Sequence, residues 1–280
     1  VYGQNIRGGQ DAIALGTSAL NEERPRTDGR IALWQSRQAA GSYDIWAINL
    51  GSGVPYPITQ TPGIDEIKPD VDWPWVVYQR RAVDDPTGPW QLFANNLLTD
   101  EAFQVDPSAA HQLDPVVEGG RVVWQDFRDV GPGDIYLREL ERGGVRRLTD
   151  NTGGQYYPSI AGPWVVWADN REGQFDLYAR NLFGGDERQL TDTAENETRP
   201  RLFEGAVLYL EDSQGSVADR NIRFLPIDVG AAIQLTNITS EKAHPVKLDD
   251  ALLWVDRSSG QGRILTSPLP ELQPVFGDNN

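Results

Sequence analysis

The sequence predicts an all-β protein made of six consecutive four-stranded antiparallel sheets, and three observations predict it. An internal repeat recurs at intervals of about 45 residues, its units starting near Pro25, Pro69, Pro115, Pro158, Pro200 and Pro245. Each unit holds short runs rich in Val, Ile, Leu, Trp and Tyr, parted by clusters of Gly, Asp, Asn and Pro, the pattern of a hairpin-connected meander. No run keeps the 3.6-residue period of a helix.

The third and fourth units are the most regular. After Pro115 come Arg121-Val122-Val123-Trp124-Gln125-Asp126-Phe127-Arg128, Asp134-Ile135-Tyr136 and Leu148-Thr149; after Pro158 come Trp164-Val165-Val166-Trp167-Ala168-Asp169-Asn170-Arg171, Asp176-Leu177-Tyr178 and Leu190-Thr191. These are read as strands two, three and four, with the proline leading strand one. A four-stranded unit of this length matches one blade of a β-propeller, because a lone twisted sheet cannot bury both faces and must stack on its neighbours. The large residue in each second strand (Trp34, Tyr78, Trp124, Trp167, Tyr209, Trp254) is then expected to fill the wedge between blades. The last unit has chain for three strands, and the isolated run Ala12-Ile13-Ala14-Leu15 supplies a fourth. Residues 12–16 are therefore expected to complete the sixth blade beside Ile264, removing an exposed sheet edge. The whole chain is expected to be one propeller domain, with residues 271–280 as a tail.

Composition narrows the function. With no cysteine, the chain can form neither disulfides nor Cys-ligated zinc, and it has no thiol nucleophile. A formal charge of −16 spread along the chain argues against nucleic acid or an anionic membrane as partner. The apolar runs are far shorter than the roughly 20 residues that span a bilayer, so no membrane insertion by a helix is expected. The first residue is Val1, which suggests a processed signal or an arbitrary start.

The first unit carries Pro25, Asp28-Gly29-Arg30-Ile31, Asp44-Ile45-Trp46 and Ile58-Thr59. This order resembles the WD-like propeller repeats of the TolB family, over roughly residues 12 to 270. The resemblance implies a six-bladed propeller, extracytoplasmic (periplasmic, cell-surface or secreted) and acting in protein contact. It implies no partner, because the N-terminal α/β domain of that family is expected to be missing before Ala12, and fold alone does not fix function.

Catalytic signatures are sparse. Only two histidines occur, His111 and His244, too few for a three-His metal site. No Gly-x-Ser-x-Gly elbow and no phosphate-cradling Gly-x-x-x-x-Gly-Lys is present. These absences favour a protein that is not an enzyme and needs no cofactor. The acidic residues that close second strands and open third strands are expected to hold hairpin N–H groups. Calcium is the one ion they could take, with Asp126, Asp134, Asp169 and Asp176 as candidate ligands.

The residue before each proline is Arg24, Lys68, Asp114, Tyr157, Arg199 and His244 in chain order. Loops entering the first strand gather near a propeller's channel mouth, so these six are the candidate binding residues, a mainly cationic collar in an acidic chain suited to a carboxylate or an acidic segment. Pairing with nearby Glu22, Glu23, Glu66, Glu197 and Glu241 is the plainer expectation. Two Asn-x-Thr sequons begin at Asn196 and Asn237. The expected function is a non-enzymatic scaffold that binds a protein or peptide as a component of a surface or envelope assembly. The alternative is a carbohydrate-binding or carbohydrate-active propeller that uses carboxylates and aromatics such as Trp73, Trp75, Trp90, Tyr156 and Tyr157 on a glycan or small molecule.

Overall fold

The computed structural model describes residues 2–3, 13–14, 21–38, 41–129, 131–203, 205–212, 220–227, 231–236, 242–248, 251–256 and 263–268. Every regular element among them is a β-strand. The chain divides into two compact halves, Val1–Thr149 and Asp150–Asn280.

In the first half, the first repeat runs Glu22–Thr27, Ile31–Arg37, Tyr43–Asn49 and Pro55–Pro57; the second Ile64–Asp72, Trp75–Ala82, Gln91–Asn96 and Glu101–Gln104; the third Gln112–Glu118, Arg121–Asp126, Asp134–Glu139 and Gly143–Arg147. In the second half, the fourth repeat runs Gln155–Ala161, Trp164–Asp169, Asp176–Asn181 and Arg188–Gln189; the fifth Asn196–Phe203, Ala206–Asp212, Arg220–Pro226 and Ile233–Gln234; the sixth Lys242–Leu248, Ala251–Asp256 and Arg263–Pro268. Each repeat is an antiparallel sheet with its strands in chain order, the sixth having three strands among the described residues. Ile13–Ala14 pairs with Tyr2–Gly3. The expected pairing of residues 12–16 with the last sheet is not among the described pairings, and Leu15 and the tail at 271–280 lie outside the described residues.

Local chemistry explains the meander. At the first hairpin Asp28 Oδ1 accepts from the N–H groups of Arg30 and Ile31, and Gly29 takes the left-handed φ of 87° that the turn requires. The recurring Leu/Ile-Thr of strand four also has a defined task. The hydroxyl oxygens of Thr59, Thr149, Thr191 and Thr236 accept from the N–H groups of Ile45, Ile135, Leu177 and Ile222 at 2.8–2.9 Å, tying strand four to strand three within each repeat.

Apolar cores lie between successive sheets. Ile31, Leu33, Ile45 and Ala47 of the first repeat pack on Val71, Val76 and Tyr78 of the second; Trp75, Val77 and Leu92 of the second pack with Val117, Val122 and Trp124 of the third. In the second half Val166, Ala168 and Leu177 pack on Leu202, Val207 and Tyr209. Trp34, Tyr78, Trp124, Trp167 and Tyr209 are all buried, as the wedge assignment requires. The side chain of Trp254 lies outside the described residues.

One prediction of local structure needs correction. The prolines do not lead their strands. They sit inside them, at a β-bulge found in all six first strands, for example between Ile67 and Asp70 and between Thr198 and Arg201. The same bulge lies between Glu23/Arg26, Leu113/Val116, Tyr156/Ser159 and Ala243/Val246. A proline lacks the N–H that an unbroken ladder would need, and a bulge is where a strand interior tolerates that loss.

Candidate functional site

The bulge gives the residue before each proline an unusual backbone. Arg24, Lys68, Asp114, Tyr157 and Arg199 all have φ between 51° and 53°. Non-glycine residues seldom adopt this left-handed region, and the conformation costs about 1 kcal/mol or more at each position. Neighbouring repeats hold it in place. Lys68 N–H donates to Gln35 Oε1 at 3.0 Å, and Asp114 N–H to Gln79 Oε1 at 2.9 Å, each acceptor coming from the second strand of the repeat before. The side chain of His244 lies outside the described residues, within the strand Lys242–Leu248 rather than before it.

A second brace lies three residues earlier. The residue four before the proline accepts, through its side chain, the N–H that opens the previous repeat's third strand: Asp65 from Tyr43, His111 from Trp90 through Nδ1, and Asn196 from Phe175. His111 is thus a structural clamp. Asn196 is likewise engaged, and Thr198 of its sequon is buried. Asn237 lies outside the described residues.

Between these braces lie two cavities at the same place in the repeat. The one in the first half, about 350 Å³, is lined by Ile67, Lys68, Trp90, His111, Leu113 and Phe127 together with Gln79. The one in the second half, about 390 Å³, is lined by Tyr156, Tyr157, Phe175, Asn196, Thr198 and Arg199, with Asp212 and Arg220. Lys68 is joined to Asp114 at 2.6 Å rather than to Glu66. Arg199 is exposed and lies 4.7 Å from the centre of the Tyr157 ring, and among the described residues it has no carboxylate partner. Arg24 is exposed as well. Trp75, one of the aromatics offered for contact with a glycan, is instead part of the core.

The second-strand carboxylates are held by arginines two residues on. Asp126 accepts from Trp124 Nε1 at 2.9 Å and from the backbone and guanidinium of Arg128, which also pairs with Asp106 and lies over Tyr136. Asp169 does the same with Trp167 Nε1 and Arg171, the latter over Tyr178. Burial alone would raise the Asp126 carboxyl; hydrogen bonds from Arg128 and Trp124 outweigh it and hold the group below the usual carboxylate range. Asp134 and Asp176 are pushed up by burial. Asp134 pairs with Arg147 at 2.8 Å, and Asp176 accepts from Thr193 N–H at 3.4 Å. Among the described residues no group of three or more His, Asp and Glu side chains is gathered as a metal ion would need. The positive charge beside Asp126 and Asp169 already belongs to arginine.

A carboxyl that the sequence offers as a solvated partner for the collar is instead buried, three residues before Pro200. Glu197 is fully buried and accepts from the hydroxyls of Thr191, at 3.1 Å, and Thr193. Burial, the largest influence, raises its carboxyl to about 7 despite those two donors.

No protein-family model and no curated protein matches this sequence. Solved structures do. TolB from Acinetobacter baumannii matches at 16% identity with a TM-score of 0.59, over 87% of this chain and 64% of that one. Oligogalacturonate lyase from Vibrio parahaemolyticus matches at 13% identity with a TM-score of 0.73, over 93% and 81%. A chain of a nidogen/laminin complex matches at 11% identity with a TM-score of 0.57, over 81% and 83%. Repeated meander sheets packed face to face and these likenesses define the fold as a β-propeller. More narrowly, it is a TolB-like propeller, and this chain spans 64% of the length of the Acinetobacter TolB. The comparison also corrects the expectation that the chain is not an enzyme. A lyase shares the fold across nearly the whole chain, so the lack of a serine elbow or three histidines does not separate this protein from enzymatic propellers. At such low identity the fold alone is shared.

Proposed function

We propose that this chain is an extracytoplasmic propeller that binds a protein or peptide, docking an acidic segment of its partner at the junction of the fourth and fifth repeats. The observation that carries the reading is Arg199: exposed, lying over Tyr157, set by a bulge at the mouth of a 390 Å³ cavity, in a chain of net charge −16. A guanidinium with no carboxylate partner among the described residues offers charge-assisted, bidentate bonds to a carboxylate. Arg24, Lys68, Asp114, Tyr157 and His244 hold the equivalent positions in the other repeats and would tune recognition repeat by repeat. The nidogen/laminin likeness supports protein contact as a use of this fold, and the TolB likeness supports the location. The reading needs no cofactor.

The test is fluorescence anisotropy with a labelled Asp/Glu-rich decapeptide, and with a Lys/Arg-rich one as control. Saturable binding of the acidic peptide alone, weakened by salt and about tenfold by Arg199→Ala, supports the reading. Binding unchanged in Arg199→Ala, or none, removes it. An acidic oligosaccharide is the second reading, favoured by the aromatic wall of Tyr156, Tyr157 and Phe175, with Tyr156 and Phe175 edge-to-face at 5.5 Å. Trigalacturonate in competition with the peptide separates the two.

A further inference from the structure

The cavity between the second and third repeats has different chemistry from the proposed docking site. Ile67, Trp90, Leu113 and Phe127 are large apolar side chains, each left partly exposed around one hollow of about 350 Å³. Such a cluster would normally collapse and exclude water. Here its walls are pinned. Trp90 N–H donates to His111 Nδ1 at 3.2 Å, Gln112 N–H to Trp90 O at 2.8 Å, and Phe127 N–H to His111 O at 3.0 Å. The hollow is preorganised, so a ligand entering it need not order the protein first.

The charges at the hollow are already paired. Asp114 takes the Lys68 ammonium, and the Arg81 guanidinium lies over Trp90, 4.2 Å from the ring centre. His111 packs edge-on against Phe127 at 6.5 Å. Because its Nδ1 accepts from Trp90, the neutral ring carries its proton on Nε2, a donor that no described residue takes. Apolar walls, paired charges and one spare donor fit an uncharged aromatic group with a neighbouring carbonyl.

We propose that this hollow receives one uncharged aromatic side chain of a partner peptide, the ring packing among Ile67, Trp90, Leu113 and Phe127 and the peptide's own carbonyl accepting from His111 Nε2. The inference rests on the peptide-docking reading and adds the side-chain class. A free charged ligand does not fit, since it would have to compete with the Lys68–Asp114 pair.

The experiment is methyl NMR of the full chain, labelled at Ile and Leu, titrated with N-acetyl-phenylalaninamide and with N-acetyl-glutamate amide as the charged control. The phenyl probe is expected to give saturable shifts at Ile67 and Leu113, and the control none. Leu113→Trp fills the hollow and should abolish the shifts at Ile67. His111→Asn keeps an acceptor for Trp90 N–H, as Asn196 does for Phe175, but its shorter amide places no donor at the Nε2 position; it should weaken binding about fivefold with the fold intact. No saturable shift in the unsubstituted chain overturns the proposal, as does undiminished binding in a folded Leu113→Trp. The acidic-peptide assay distinguishes the failures: acidic-peptide binding lost by Arg199→Ala with no response to the phenyl probe defeats this inference alone, and the converse defeats the charged site alone.

Discussion

Two junctions of the molecule use one backbone for opposite chemistries. Between the second and third repeats the equivalent positions are Ile67, Lys68, Trp90, His111, Leu113, Asp114 and Phe127; between the fourth and fifth they are Tyr156, Tyr157, Phe175, Asn196, Thr198, Arg199 and Asp212. The clamp is common to both: a side chain four residues before the proline accepts the N–H that opens the preceding third strand. What varies is whatever faces the hollow. The first junction is apolar with Lys68 and Asp114 paired, and the second is aromatic and polar with an arginine that has no carboxylate partner among the described residues. On the proposed reading, scaffold and recognition are carried by different atoms of the same residues, backbone and clamp for one, projecting side chains for the other.

Exchanging the buried residue three positions before the proline strains this comparison most. Gln112 and Glu197 are both fully buried. Gln112 Nε2 donates to Asp106 and Asp126 at 3.3 Å, and its Oε1 accepts from Leu92 N–H at 3.1 Å. Gln112→Glu deletes the donor and adds a third carboxylate, so a loss of about 3 kcal/mol or more is expected in urea unfolding. Little change would mean that the junction repacks freely.

Glu197→Gln should act in the opposite sense, and only at neutral and alkaline pH. The Glu197 carboxyl is raised to about 7 in the folded protein, above its ordinary value. Between those two values the folded chain holds a proton that the unfolded chain has released. The stabilisation is therefore full at acid pH and is lost as pH rises through about 7. At pH 8 the glutamine variant should exceed the parent by about 2 kcal/mol, and the pH slope of its urea midpoint should flatten. An unchanged slope would exclude Glu197 as its source.

Charge at the bulge is the next contrast. Lys68→Ala should change acidic-peptide affinity less than about twofold, because Asp114 already pairs with the ammonium, against the tenfold loss expected for Arg199→Ala. Asp114→Asn frees Lys68 and should strengthen binding about threefold at low salt, converting the first junction towards the second. Equal effects of Lys68→Ala and Arg199→Ala would mean that the two sites are not chemically distinct.

The repeat, its strands and the wedge aromatics were legible because apolar alternation and Gly or Asp turns are local signals. The bulge was not. Arg24, Lys68, Asp114, Tyr157 and Arg199 are residue types that carry no mark of a left-handed backbone; only the proline after each hinted at a broken ladder. Glu66, Gln112, Gln155 and Glu197 form a series at one repeat position, all buried, yet read singly they look like solvated polar residues. Trp124-x-Asp126-x-Arg128 and Trp167-x-Asp169-x-Arg171 could have been read further, since a spacing of two places side chains on one face of a strand and makes the arginine the natural partner of the acid. Which residues close the hollows depends on pairing between repeats, and no single repeat encodes that.

The first repeat tests that last motif with the smallest expected effect. Trp34 is equivalent to Trp124 and Trp167, but Ser36 and Gln38 stand where the third and fourth repeats have Asp and Arg, and among the described residues the buried Trp34 Nε1 has no hydrogen-bond partner. Ser36→Asp alone would bury a carboxylate beside the indole with no guanidinium to answer it, and should destabilise. Ser36→Asp with Gln38→Arg restores both halves, gives Trp34 Nε1 an acceptor, and sets the arginine to lie over Trp46 as Arg128 lies over Tyr136. The pair should gain about 1 kcal/mol over the parent, with a coupling of that size or larger in the double-mutant cycle. Additive effects would mean that the indole, the acid and the arginine act separately, and the motif would then not be the element that locks a repeat before its junction is formed.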